Sequence, residues 1–171
     1  MPEQVTKQFS VVKDYAEKIE ENNRAGIGLL LKGPVGTMKT SLAVAVLRKW
    51  VEDGHGGLFL PMVSMMDTIW TLKDKNREEW WRFEDKLRTT PLLVLDDLGA
   101  ERHEDWVMSK VDAIVSERYN RMRPIIITTN MGNAEIKGRY AERVIDRLRS
   151  TSIMVNFVGD SLREACKGGA A

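Results

Sequence analysis

One stretch, Leu29-Leu30-Leu31-Lys32-Gly33-Pro34-Val35-Gly36-Thr37-Met38-Lys39-Thr40-Ser41, limits what this chain can fold into more than any other. An apolar strand feeds a Gly-rich turn, and a Lys-Thr pair then opens a helix. In the pattern G-x-x-x-x-G-K-S/T, successive backbone N–H groups wrap nucleotide phosphates, the Lys neutralises the outer ones and the hydroxyl ligates Mg²⁺. Gly33, Lys39 and Thr40 satisfy it, and Met38 stands where the pattern asks for Gly. Because residue 38 opens the helix, right-handed backbone angles are expected there, and any L-residue adopts those. The candidate phosphate-binding residues are therefore Gly33, Pro34, Val35, Gly36, Thr37, Met38, Lys39, Thr40 and Ser41. The bland alternative is a strand-to-helix turn that uses Gly33 and Gly36 only for tight geometry.

Composition places this turn in an ordinary globular domain. At 171 residues, 43% hydrophobic and 30% charged, the chain can bury a sizeable core, and residues 1–171 are expected to form a single domain. A formal net charge of +1 leaves any nucleic-acid contact to a local basic surface. The one cysteine, Cys166, has no partner for an internal disulfide, and Met1-Pro2-Glu3-Gln4 lacks the apolar segment of a secretion signal. No apolar run nears the roughly 20 residues that span a bilayer. A cytoplasmic protein without a membrane partner is the expectation.

Periodicity supplies the order of elements. Residues 5–23 carry Val12, Tyr15, Ala16 and Ile19 at helical spacing and close on Asn22-Asn23-Arg24-Ala25-Gly26, so the N-terminal segment 1–25 should lie as one helix across the sheet edge near the nucleotide. Residues 27–31 are almost wholly apolar, as in a parallel strand covered on both faces. There follow a helix over 39–51, a strand over 58–60, a strand-free stretch to Thr90, a strand over 92–95 and a helix over 105–119. A strand over 125–128, short helices over 133–137 and 139–149, a strand over 153–157 and a C-terminal stub and tail over 159–171 complete the chain. Alternating strands and helices predict an α/β fold, a three-layer sandwich around a five-stranded parallel sheet.

Pro91-Leu92-Leu93-Val94-Leu95-Asp96-Asp97 is an apolar strand ending in two carboxylates. Phosphoryl transfer needs one acid near the metal and one that orients the attacking water, and Asp96, with Thr40, is assigned to the metal and Asp97 to the water. Alone, the same residues could simply cap a turn. Ile125-Ile126-Ile127-Thr128-Thr129-Asn130 is another buried strand with a polar end, and ligands of open α/β sheets lie outside the carboxyl ends of strands, which brings Asn130 toward the γ-phosphate or the water. Arg139, Arg143 and Arg147 recur at i, i+4 and i+8, with Arg149 nearby, while Tyr140, Val144 and Leu148 mark the buried stripe. An outward arginine row is expected. Like charges so spaced cost about 0.2–0.5 kcal/mol per pair, which fits an anionic partner such as a neighbouring subunit's nucleotide. The alternative is a solvated face screened by Glu135, Glu142 and Asp146.

Taken together, Gly33-Pro34-Val35-Gly36-Thr37-Met38-Lys39-Thr40, Leu95-Asp96-Asp97-Leu98-Gly99, Thr128-Thr129-Asn130, Arg143-Val144-Ile145-Asp146-Arg147-Leu148-Arg149 and Ser161-Leu162-Arg163 resemble the AAA+ ATPases of the DnaC/IstB helicase-loader family, over about residues 9–163. The resemblance implies that Lys39 and Thr40 are Walker A, Asp96 and Asp97 Walker B, Asn130 sensor 1, Arg147 an arginine finger and Arg163 the nucleotide-contacting sensor 2 arginine. It further implies a sensor strand lying between the P-loop and Walker B strands, and no full helical lid. Two departures stand out: Met38 replaces the usual Gly, and Asp97 stands where many AAA+ proteins carry Glu. One methylene shorter, Asp97 is expected to hold water less well and slow hydrolysis. Loaders of the family also carry an N-terminal helicase-binding domain, whereas about 25 residues here precede the first strand. The chain is expected to be either a short relative or an isolated ATPase core.

The strand-free segment, residues 62–90, carries Trp70, Trp80, Trp81, Lys73, Lys75, Arg77, Arg82, Lys86 and Arg88, a basic and aromatic mixture suited to single-stranded nucleic acid. Its position resembles the helical insertion of the initiator and loader branch. Trp80, Phe83 and Leu87 share one helical face and read as core, leaving Trp81 about 100° away as the surface candidate with Lys73, Lys75 and Arg77. Glu78, Glu79, Glu84 and Asp85 dilute the basic charge. The expected protein is an AAA+ ATPase using ATP and Mg²⁺, self-associating on single-stranded DNA and helping to install a replicative helicase. Its rivals are a transposition helper with the same core and a non-hydrolysing nucleotide-dependent DNA scaffold.

Overall fold

A computed structural model of the chain describes residues 3–101 and 104–162. Five strands, β1 (Gly28–Lys32), β2 (Gly57–Pro61), β3 (Leu92–Asp96), β4 (Ile125–Thr129) and β5 (Ser152–Asn156), form one sheet in the order β2-β3-β4-β1-β5. Every pairing in it is parallel. Side chains of a strand alternate between faces, and the apolar runs therefore feed two cores. Leu30, Leu93, Leu95, Ile125 and Ile127 bury on one side, and Leu29, Leu31, Leu92, Val94, Ile126 and Val155 on the other. This explains why the central strands read as unbroken apolar runs.

The second of these cores is covered by α1 (Glu3–Glu17), α2 (Ile19–Arg24) and α3 (Lys39–Glu52), the last burying Leu42, Ala43, Val46, Leu47 and Trp50 along one stripe. The expected single N-terminal helix breaks at Lys18. The side-chain amide of Asn22 donates to the Tyr15 carbonyl at 3.2 Å, an acceptor that a continuous helix gives to the amide of residue 19, and the Tyr15 hydroxyl reaches the Ile27 carbonyl at 2.8 Å. Helix α1 lies against the sheet edge at β5, where Gln8 donates to the Asn156 carbonyl at 2.9 Å.

The first core is covered by α4 (Met62–Lys75), α5 (Arg77–Thr89), α6 (Asp105–Asn120), α7 (Asn133–Arg139) and α8 (Glu142–Ser150). Helices α4 and α5 are the insertion, separated by Asn76, whose side chain accepts from the Glu79 amide at 3.1 Å and so caps α5. Leu87 is fully buried, Trp80 and Phe83 pack partly buried beside it, and Trp81 is 50% exposed. Two buried charges tie α5 to α6. Glu84 pairs with Arg88 at 2.7 Å and with Lys110, and Arg118, fully buried, donates to the Leu87 and Pro124 carbonyls at 2.8 Å each. Among the described residues no helix is long and apolar enough to cross a membrane.

Candidate nucleotide site

Because β4 lies between β1 and β3, with Lys32 opposite Thr129 and Leu95 opposite Ile127, the carboxyl ends of these strands open side by side. They form a cleft of about 460 Å³ lined by residues 35–41 with Asp96, Asp97, Thr128, Asn130 and Leu162. The inherited expectation of a central sensor strand matches this order.

Two glycines let the loop close over the cleft. A Cβ on Gly33 (φ +151°) would lie 2.3 Å from the Phe157 carbonyl oxygen, and one on Gly36 (φ +84°) 2.1 Å from Ser161 Oγ. The Leu162 amide donates to the Gly36 carbonyl at 3.0 Å, so the chain beyond β5 returns to flank the loop. Met38 corrects the sequence expectation. It is left-handed, φ 67° and ψ 12°, at the N-cap of α3, not right-handed. The chain must reverse its twist there to turn consecutive N–H groups inward, which is why the pattern places Gly at this position. Met38 carries that conformation at a cost of about 1–2 kcal/mol.

Lys39, 6% exposed, donates from Nζ to the Gly33 and Pro34 carbonyls at 2.9 and 2.7 Å, which centres the ammonium in the loop. From Thr40 a continuous chain of hydrogen bonds crosses three elements. Thr40 Oγ1 donates to Asp96 Oδ1 at 2.8 Å, and Thr128 Oγ1 donates to the same oxygen at 2.6 Å. Thr128 Oγ1 also accepts from the Asp97 amide at 2.9 Å, and Asn130 Nδ2 donates to Asp97 Oδ1 at 2.7 Å. Thr128 is the hydrogen-bonding residue of the site that sequence reasoning did not assign, and Leu162 is a further unassigned lining residue. The signal for Thr128 was available, a Thr-Thr pair ending an otherwise apolar strand. Asp97, like Met38, is left-handed (φ 61°), a conformation Asp tolerates better than most residues.

The hydroxyl of Thr40 and the carboxylate of Asp96 are hard oxygen donors of the kind Mg²⁺ takes when it arrives with substrate phosphates. Among the described residues no three His, Cys, Asp or Glu side chains converge into an all-protein metal cage. The donor set fits a cation carried by a nucleotide.

The arginines depart from the expected outward row. Helix α7 ends at Arg139 and α8 starts at Glu142, so Arg139 is not on the helix of the other two. It turns to Glu101, pairing with Oε1 at 3.4 Å and with the Glu101 carbonyl. The buried Glu101 also accepts from the Gly99 amide at 2.8 Å and from the Tyr140 hydroxyl, whose pKa rises through burial and this bond. Arg143 and Arg147 both face Asp112 on α6, and Arg143 holds that carboxyl below its ordinary pKa. The screening acids anticipated from sequence, Glu135, Glu142 and Asp146, are not the partners. Arg147 is outside the cleft lining, and Arg163 lies outside the described residues. Lys73 and Lys75 close α4 and Arg77 opens α5, all exposed, with Trp81 one turn along from Arg77 on the same face.

The chain is 32% identical over 140 residues to an insertion-sequence IS21 protein of Pseudomonas aeruginosa whose name describes ATP binding, covering 79% of this chain and 52% of that one. It is 27% identical over 162 residues to the replicative helicase loader DnaC of Escherichia coli K12, covering 94% and 64%. A crystal structure of the DnaC helicase loader superposes with a TM-score of 0.74 at 29% identity, covering 86% of each chain, and the fold is that of AAA+ P-loop proteins. The chain thus spans between half and two thirds of the length of these curated relatives. The model of IstB-like ATP binding proteins matches residues 17–170, and the chain belongs to that family.

Proposed function

We propose that this chain is an ATP- and Mg²⁺-dependent ATPase that self-associates on single-stranded DNA and helps install a replicative helicase, with hydrolysis as its release switch. The observation that carries the ATPase reading is the hydrogen-bonded run Thr40, Asp96, Thr128, Asp97, Asn130, which joins the phosphate loop to two neighbouring strand ends. Lys39 neutralises the outer phosphates, Thr40 and Asp96 hold the metal, and Asp97 orients the water with Asn130 fixing its carboxylate. The bound Mg²⁺ supplies charge stabilisation to the transferring phosphoryl oxygens. Arg147 acts on a neighbouring subunit's nucleotide, Arg163 contacts the chain's own, and Lys73, Lys75, Arg77 and Trp81 meet the DNA. The loader role rests on similarity to DnaC.

A second reading, a transposition helper, is favoured by the family model and the IS21 relative. A third, a non-hydrolysing scaffold, is favoured by the left-handed Met38 and by Asp97 being held by Asn130. The deciding experiment is steady-state phosphate release from ATP with and without single-stranded DNA, with Lys39→Ala subtracting contaminating activity. DNA-stimulated turnover supports the ATPase reading. ATP binding without turnover in either condition replaces it with the scaffold, and loss of helicase binding in favour of a transposase in pulldown moves it to the transposition helper.

A further inference from the structure

Arg147 leaves α8 toward α6 and meets three side chains there. Its Nη1 donates to Ser116 Oγ, and the Ser116 hydroxyl donates onward to Asp112 Oδ1 at 3.0 Å, an oxygen that also stands 3.5 Å from Nη1. The guanidinium carbon lies 5.7 Å from the Tyr119 ring centre, a cation–π arrangement. The other Asp112 oxygen takes Nε, at 2.8 Å, and Nη2 of Arg143. One carboxylate, itself 14% exposed, thus compensates two like charges four residues apart that would otherwise repel.

The two arginines are held in different ways. Arg143 commits both Nε and Nη2 to Asp112 and is otherwise 68% exposed. Arg147 is engaged at Nη1 and over its face, and among the described residues its Nε and Nη2 make no hydrogen bond. A guanidinium is a rigid planar fork with five donors, so gripping one edge fixes where the other edge points. Both Asp112, 14% exposed, and Arg147, 29% exposed, are largely enclosed, so the contacts that compensate the charge also fix the orientation of the guanidinium.

We propose that Asp112, supported by Ser116 and Tyr119, is the positioning residue for Arg147, setting the orientation in which its open edge meets a phosphate presented by a second copy of the chain. This rests on the reading of Arg147 as a group acting between subunits. Asp112→Asn keeps the shape and removes the charge, releasing Arg147 and letting Arg143 repel it.

Two readouts test the inference. By nitrogen relaxation, the Arg147 Nε–H group is rigid in the wild type and becomes more mobile in Asp112→Asn, where Ser116 and Tyr119 alone still hold it; equal mobility in both overturns the inference. At saturating ATP in the assembled state, Asp112→Asn lowers turnover about tenfold and Ser116→Ala about threefold, with ATP Kd in the monomer changed less than about twofold and partial recovery in Asp112→Glu. In an Arg147→Ala background Asp112→Asn adds no further loss, because the two act through one group. A loss that persists in that background, or Asp112→Asn turnover equal to wild type beside a defective Arg147→Ala, overturns the inference alone. Turnover absent from the wild type or untouched by Arg147→Ala fails the reading of Arg147, and the inference with it.

Discussion

Met38 is where sequence and backbone pull against each other. Left-handed geometry costs an L-residue about 1–2 kcal/mol, whereas glycine pays only about 0.5–1 kcal/mol in added unfolded-state freedom. Met38→Gly is therefore expected to stabilise the protein by about 0.5–1 kcal/mol, read as a rise in urea midpoint at unchanged slope. Met38→Ala keeps the strain and serves as the control; an equal gain there would show that side-chain bulk, not handedness, sets the cost. The motif made Lys39 and Thr40 legible because their spacing from Gly33 is covalent. The handedness of residue 38 was misread because the N-cap was taken for the helix interior, although the two have different backbone angles. Thr128 escaped assignment because its two partners, Asp96 and the Asp97 amide, come from another strand.

At the scale of elements, α6 joins the insertion to α8. One side of it meets the insertion through Lys110 and Arg118, and the other meets α8 through Asp112 and Ser116. Burial pushes the Arg118 guanidinium down to about 9, with nearby Arg123 adding to it, so it stays protonated at neutral pH while donating to the Leu87 and Pro124 carbonyls. Arg118→Ala leaves two carbonyls without their donors and opens a cavity, for an expected loss of about 3 kcal/mol in chemical denaturation. A loss under about 1 kcal/mol would mean that water replaces the guanidinium at little cost. The existence and order of the helices were legible from the 3.6-residue period. The break at Lys18 was not, since it goes with the Asn22 side chain taking the Tyr15 carbonyl, and the break expected at residue 138 falls instead at 140–141, where Arg139 and Tyr140 turn to the distant Glu101.

At the scale of the whole molecule, the nucleotide cleft lies at the carboxyl end of the sheet, and the basic, aromatic corner lies on the insertion. Trp81 is half exposed and its ring meets Trp80 edge-on at 4.7 Å, so Trp81→Ala should weaken single-stranded DNA binding by about 1–3 kcal/mol with a small change in melting temperature. A melting shift without a DNA effect would make Trp81 a packing partner of Trp80 and not a DNA contact. The sequence by itself determined the α/β class, the sheet between two helical layers, the phosphate loop and the acidic strand end. Each of these is written in local spacing, either a side-chain period or a covalently fixed motif. Only the tertiary structure decided which carboxylates the arginines meet and that Thr128 bridges Asp96 and Asp97. Those outcomes depend on which elements lie side by side once β4 enters between β1 and β3, and contacts between residues thirty or more apart in sequence, such as Asp112 with Arg143, leave no local period to read.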